Sequence, residues 1–204
     1  MIRILTLLSV VLIMSGCSQS ESHGDKNSSK KVETAELNTS VKETKKTASV
    51  QKSEIKKAIL SIYTIDGKEI LVNETKGGLT FQGSEGKAVF IVLFGYRCPP
   101  CLQEMPNLIA LMAKKYPDLE IIAIEVQGLG SDELEIFKEE KGINYTLAVG
   151  SDNNKFINYI ASRAQWQGSI PFFLAFDKKG EVKVVHVGAL SGEQLEAVYG
   201  DIHK

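Results

Sequence analysis

The chain has 204 residues, enough for one ordinary domain with flanking segments. Its 43% hydrophobic and 24% charged content suits a globular core under a solvated surface. The formal net charge of -1 excludes a general electrostatic attraction to nucleic acid or to anionic lipid. There are only three cysteines, Cys17, Cys98 and Cys101, and an odd count in an exported chain means that one of them has a separate fate.

The amino terminus suggests that fate. Ile4 to Met14 form an apolar run behind a single positive charge at Arg3. The run is too short to span a bilayer core and has the length of a signal-peptide apolar region. It ends in "MSGC", residues 14–17, which resembles a bacterial lipoprotein lipobox, with Met14 where leucine is usual. That resemblance implies removal of residues 1–16 as a signal peptide and lipidation of Cys17. The alternative is an ordinary signal peptide followed by a chance cysteine. Acyl chains contribute roughly 0.8 kcal/mol per buried CH₂, so several of them anchor a protein stably. Residues 17–57 are rich in Ser, Thr, Lys and Glu and poor in large apolar groups. Such a segment cannot bury enough surface to offset its ordering entropy, and it is expected to be a flexible linker. About 40 residues of this kind reach on the order of 35 Å r.m.s..

A single domain is expected over 58–204. "AILSIYTIDGKEILVN" alternates apolar and polar residues about Asp66-Gly67, a hairpin signal, and "LTF" adds a short extended piece. "KAVFIVLFG" is a continuous apolar run rich in β-branched and aromatic residues, the pattern of a strand buried on both faces. Leu102, Met105, Leu108, Ile109 and Met112 then recur at helical spacing, with a kink expected at Pro106. "LEIIAIEVQ" reads as a second buried strand with Glu120 and Glu125 near its ends. "SDELEIFKEEKG" has a capped start and a closing Gly142, as a helix should. A weak strand "NYTLAVG", a helix "NNKFINYIASRA", two strands in "PFFLAFDKKGEVKVVHVG" turning at Lys178-Lys179, and a terminal helix capped by Ser191 complete the order. Helices between buried strands imply an α/β fold with a mixed, mostly parallel sheet, helices on both faces and an amino-terminal β-hairpin.

Cys98 falls just past a central strand, where a helix begins, and reaction sites of open α/β sheets favour such positions. Free N–H groups and the dipole of a helix N-terminus favour thiolate over thiol. Two intervening residues put both sulfurs on the first turn, with Cys98 expected to be exposed and attacking and Cys101 more buried and resolving. Arg97 adds a positive charge beside the attacker, or is a solvent-facing loop residue. Other chemistries fit less well. A structural zinc site needs four ligands, and there is no second cysteine pair. His186 on a strand is a weak ligand candidate. Copper-delivery relatives are expected to show Cys-x-x-x-Cys with a distant histidine. A peroxidatic cysteine would follow Pro-x-x-x-Thr, whereas "LFGYR" precedes Cys98. A purely structural disulfide would brace little chain.

"FGYRCPPCLQEMP" and, downstream, "SIPFFLAFDKKGEVKVVHVGALSGEQL" resemble the thioredoxin superfamily, in particular the membrane-anchored TlpA/ResA-like thiol–disulfide oxidoreductases. The likeness covers roughly residues 79–202. It implies a thioredoxin-like fold and a dithiol that reduces disulfides of exported proteins, with apocytochrome c as one substrate. The same resemblance implies a membrane dithiol as electron donor and an extracytoplasmic location, to which the lipobox adds a lipid anchor; no cofactor, metal or nucleic acid is expected. It also assigns roles. Pro171 is expected to be cis and to lie against the dithiol, with Ile170 offering backbone groups to an incoming peptide. Glu104, one helical turn beyond Cys101, is expected to be partly buried with a raised pKa, exchanging protons with the resolving thiol. Tyr96 stands where many thioredoxins have tryptophan and is expected to line the docking groove. Glu125 and Trp166 are weaker candidates. The alternatives are an oxidase or isomerase of the same fold, or a lipoprotein that binds a client or metal without catalysis.

Overall fold

The computed structural model describes residues 60–203, from the first strand to the end of the last helix. The expected signal segment 1–16, Cys17 and the linker 17–57 lie outside the described residues.

The chain folds into β1 (Leu60–Tyr63), β2 (Glu69–Glu74), β3 (Leu79–Phe81), β4 (Ala88–Phe94), α1 (Pro99–Ala113), β5 (Leu119–Glu125), α2 (Ser131–Lys141), β6 (Thr146–Val149), α3 (Asn154–Ala164), β7 (Phe172–Phe176), β8 (Val182–Val187) and α4 (Gly192–Ile202). A single 3₁₀ turn, Ser151–Asn153, precedes α3. The first three strands form a separate antiparallel sheet in the order β1-β2-β3, which contains the expected hairpin and the extended "LTF". The central sheet has the order β6-β5-β4-β7-β8. β4 pairs β5, and β5 pairs β6, in parallel; β7 is antiparallel to both β4 and β8. The sheet is thus mixed and mostly parallel, as expected: β4, β5, β6 and β8 run one way and β7 alone is reversed. β7 enters beside β4 from the opposite direction before the closing hairpin.

β4 shows why a continuous apolar run is needed here. Phe90, Val92 and Phe94 point into a core shared with α1, α2 and α4, while Val89, Ile91 and Leu93 point into a second core. That second core holds α3 through Phe156 and Ile160, and the small sheet through Ile62, Val72 and Phe81. A strand alternates its side chains between faces, so both sets must be apolar when both faces are covered. Each fully buried Phe or Ile contributes roughly 1.5–3 kcal/mol relative to exposure. Edge-to-face pairs Phe90–Phe173 and Phe81–Phe176 knit β4 and β3 to β7 on opposite sides of the sheet.

The helices begin and end on local chemistry. At α4, the Ser191 side chain accepts the Gln194 N–H at 3.2 Å, and the Gln194 side chain accepts the Ser191 N–H at 2.8 Å. This reciprocal pair satisfies two otherwise orphaned donors. At α2 the cap is Gly130 rather than Ser131, and Glu133 reaches back to accept the Gly130 N–H at 2.9 Å. α1 continues through Pro106 as one helix. It buries Cys101, Glu104, Met105, Leu108 and Leu111, so one face carries both its apolar contacts and two polar side chains.

One buried polar residue secures the small sheet. Asn153 is 1% exposed. Its amide donates to the carbonyls of Tyr63 at 2.9 Å and Val149 at 2.7 Å, and its oxygen accepts the Tyr63 N–H at 2.8 Å. The end of β1 is thereby tied to the carboxyl end of β6.

Candidate active site

β4 ends at Phe94, and Gly95 to Arg97 turn the chain into α1. The Cys98 N–H bonds to the Gly95 carbonyl at 3.1 Å, which closes that turn. Cys98 is the N-cap of α1, with Pro99 and Pro100 in the first turn, where proline's missing N–H removes nothing a helix would use. Cys98 and Cys101 form a disulfide with their Cα atoms 5.2 Å apart. The Cys98 sulfur occupies the place of a capping oxygen and accepts the Cys101 N–H at 3.3 Å. Charge developing on this sulfur is therefore met by an N–H and by the positive end of the helix.

The structure corrects one expectation. Cys98 was expected to stand open, yet it is 6% exposed, against 3% for Cys101. The small ring turns its sulfur inward onto the helix, and the Ile170 carbonyl oxygen lies 3.7 Å from it. The Ile170–Pro171 bond is cis, and the Pro171 carbonyl accepts the Gly188 N–H at 2.9 Å. β7 and β8 thus deliver this loop to the dithiol from a part of the chain some 70 residues away in sequence. Tyr96 is half-buried, and the Arg97 guanidinium sits 4.7 Å from the centre of its ring.

Glu104 is 1% exposed, one turn along α1 from Cys101. Its carboxylate accepts the Leu190 N–H at 2.9 Å, from the loop joining β8 to α4. Burial raises its pKa to about 7, and the Leu190 bond opposes that only in part. The side chain can therefore hold or release a proton near neutrality. Tyr145 is buried in the same core, and burial, with the Glu104 charge, pushes its hydroxyl well above the usual range.

Trp166 braces the proline loop. Its indole N–H donates to the Ser169 carbonyl at 2.6 Å, and its ring lies 5.8 Å from that of Phe172. The residue is half-buried and joins the second core.

The most connected polar group at this end of the sheet is Glu125, which is 0% exposed. Its Oε1 accepts the N–H groups of Tyr96 at 3.3 Å and Gln127 at 2.9 Å, and its Oε2 accepts those of Gly128 and Leu129, each at 2.9 Å. Gln127 was not singled out by sequence reading. Its Oε1 accepts the Arg97 N–H at 2.9 Å. The available signal was a lone carboxylate ending an apolar strand, followed by a glycine-rich loop; Gly128 has φ +106°, a conformation that favours glycine. His186 lies on β8 opposite Phe173, away from any ligand cluster. Among the described residues no three His, Cys, Asp or Glu side chains gather as a metal site.

A mixed sheet flanked by helices, with a Cys-x-x-Cys at the start of α1 and a cis-proline loop against it, defines a thioredoxin-like protein. The AhpC/TSA family model matches residues 65–185, more than half of the chain, and the chain belongs to that family. Curated relatives carry the name thiol-disulfide oxidoreductase ResA. That of Halalkalibacterium halodurans is 28% identical over 116 residues, covering 55% of this chain and 60% of the relative. That of Bacillus thuringiensis is 28% identical over 139 residues, covering 66% of this chain and 69% of the relative. The chain thus spans less than two thirds of the first relative's length. Among solved structures, a thioredoxin family thiol:disulfide interchange protein of Chlorobium tepidum shares the fold. Its TM-score is 0.59 at 20% identity, over 71% of this chain and 92% of that one.

Proposed function

We propose that this chain is a thiol–disulfide oxidoreductase that reduces disulfides of exported proteins through Cys98 and Cys101. The observation that carries the reading is the Cys98 sulfur at the N-cap of α1, holding the Cys101 N–H and touching the Ile170 carbonyl. The names of the ResA relatives support the same chemistry.

In the reduced protein, the Cys98 thiolate attacks one sulfur of a substrate disulfide. The other substrate sulfur leaves as a thiolate and takes up a proton, and Cys98 is left in a mixed disulfide. Cys101 then loses its proton and attacks Cys98. The substrate's second thiol departs, and the Cys98–Cys101 disulfide described above remains. Glu104 is the group placed to take the Cys101 proton, since burial holds it near neutrality on the same face of α1. Two electrons must then come from a membrane dithiol donor to restore the pair. Ile170 and Pro171 present backbone to the docked peptide, with Tyr96 at its side. The enclosure of Cys98 limits attack to disulfides that dock against this loop.

Two finer parts of the proposal rest on sequence alone. Cys17 carries a lipid anchor that holds the domain outside the cytoplasm, at the end of a flexible linker. Apocytochrome c undergoing maturation is the substrate the resemblance favours. No helix among the described residues is long and apolar enough to cross a membrane.

The test is substrate capture. With Cys101→Ser, a disulfide-containing protein should remain linked to Cys98 on non-reducing gels, and with Cys98→Ser none should. Insulin reduction should be lost in both. The enclosed Cys98 favours one rival, a client-holding lipoprotein with an inert disulfide. Negligible insulin reduction by wild type, with no trapped species, decides for that rival.

A further inference from the structure

The two peptide N–H groups immediately before Cys98 are both held by side chains of another segment. The Tyr96 N–H donates to Glu125 and the Arg97 N–H donates to Gln127. Glu125 also takes the backbone N–H of Gln127, so the two holders are themselves joined. The Gln127 side chain lies so close over Gly95 that any Cβ there would overlap it. Val126 adds a backbone bond to the Phe94 carbonyl at 2.8 Å. All five residues from Phe94 to Cys98 are thus fixed, four by the end of β5 and its loop, and Cys98 by Gly95.

We infer that Glu125 and Gln127 are positioning residues for the dithiol: they hold the 95–97 turn so that the Cys98 sulfur stays on the N-terminus of α1. This rests on the proposed redox role of Cys98. Four N–H groups converge on Glu125, two on each oxygen. Only a carboxylate offers two oxygens that both accept without donating. A glutamine would set an NH₂ against two of those N–H groups. Stability alone does not require this arrangement, because a buried charge is costly and an apolar or neutral group is often as good for the fold. Its location, on the residues next to the attacking cysteine, gives it a use. If the turn loosens, the sulfur leaves the Cys101 N–H and the helix end that favour its ionised form.

The ionisable groups at this end are Tyr96 and Arg97 on the turn itself, Glu104 on α1, Glu125 on β5, and Tyr145 just before β6. None of the three variants below changes the charge of Arg97, Glu104 or Tyr145.

The experiment is alkylation of Cys98 by iodoacetamide in the reduced full-length protein, as a rate against pH, in a Cys101→Ser background. Gln127→Ala removes one acceptor at an exposed position, so the fold should survive. Gly95→Ala displaces the Gln127 side chain from the other side. Glu125→Gln disrupts the centre. Gln127→Ala and Gly95→Ala should each move the pH–rate curve of Cys98 upward and slow alkylation at pH 7 by about three- to fivefold, the scale of a lost helix-end interaction. Glu125→Gln should shift it less, because the lost negative charge by itself favours the thiolate and offsets part of the loosened turn. Circular dichroism and denaturant midpoints are read in parallel. Midpoints that fall while the alkylation curve stays in place show a structural role and overturn the inference. If Glu125→Gln does not fold, Gln127→Ala and Gly95→Ala decide. A wild-type curve no lower than that of free cysteine, near 8.5, overturns the proposed redox role itself, and so is distinguishable from failure of the positioning role alone.

Discussion

Replacing Glu104 by glutamine should change how stability depends on pH, in a direction set by its burial. The folded-state pKa is about 7, against 4.5 for the ordinary side chain. Between those values the native protein binds a proton that the unfolded chain does not. Stability therefore falls as pH rises through that window, and the loss is complete above pH 7. At 1.36 kcal/mol per pKa unit, the cost reaches about 3 kcal/mol. The Glu104→Gln side chain keeps an oxygen for the Leu190 N–H and carries no charge to desolvate. The variant should match wild type near pH 4.5 and exceed it by about 3 kcal/mol at pH 8. The assay is urea unfolding of the oxidised proteins at several pH values, so that no thiol titrates. Asp66, Asp118 and Asp177 have lowered pKa values and lose their contribution as pH falls. They are common to both proteins and cancel in the difference. Parallel curves from pH 4.5 to 8 would refute the reasoning. In the reduced protein, disulfide reduction should lose its pH-dependent limb near 7 in the same variant if Glu104 moves the Cys101 proton.

Two further outcomes are expected. Asn153→Ala leaves the two carbonyls and one N–H of its partners without that side chain, at a site with little water. It should cost about 3 kcal/mol in denaturant unfolding, at roughly 1 kcal/mol per lost hydrogen bond. Trp166→Phe keeps a ring against Phe172 but drops the bond to the Ser169 carbonyl. It should cost about 1 kcal/mol in stability and raise KM for a disulfide peptide more than it lowers kcat, measured by steady-state turnover.

Local pattern carried much of this protein. The apolar runs of β4 and β5 declare strands buried on both faces, because each must serve two cores. Ser191 with Gln194 marks the start of α4, and Gly142 the end of α2, because caps are satisfied within a few residues. The Cys-x-x-Cys was legible for the same reason: its ring and its helix turn are local. The relation of the sulfur to the Ile170–Pro171 loop was available only through resemblance, since no pattern within a short window joins residues 98 and 170.

Tertiary structure alone decided the rest. It set β7 antiparallel to β4, and it enclosed Cys98. It brought Leu190 to Glu104 and Asn153 to Tyr63. It also turned Glu125 from one charge at a strand end into the acceptor for four N–H groups, with Gln127 beside it. The chain order fixes which residues can bond within a turn of helix or along a hairpin. Which side chain meets a distant backbone N–H depends on how the strands are ordered in the sheet, and that order is set by packing of the whole core rather than by any stretch of sequence.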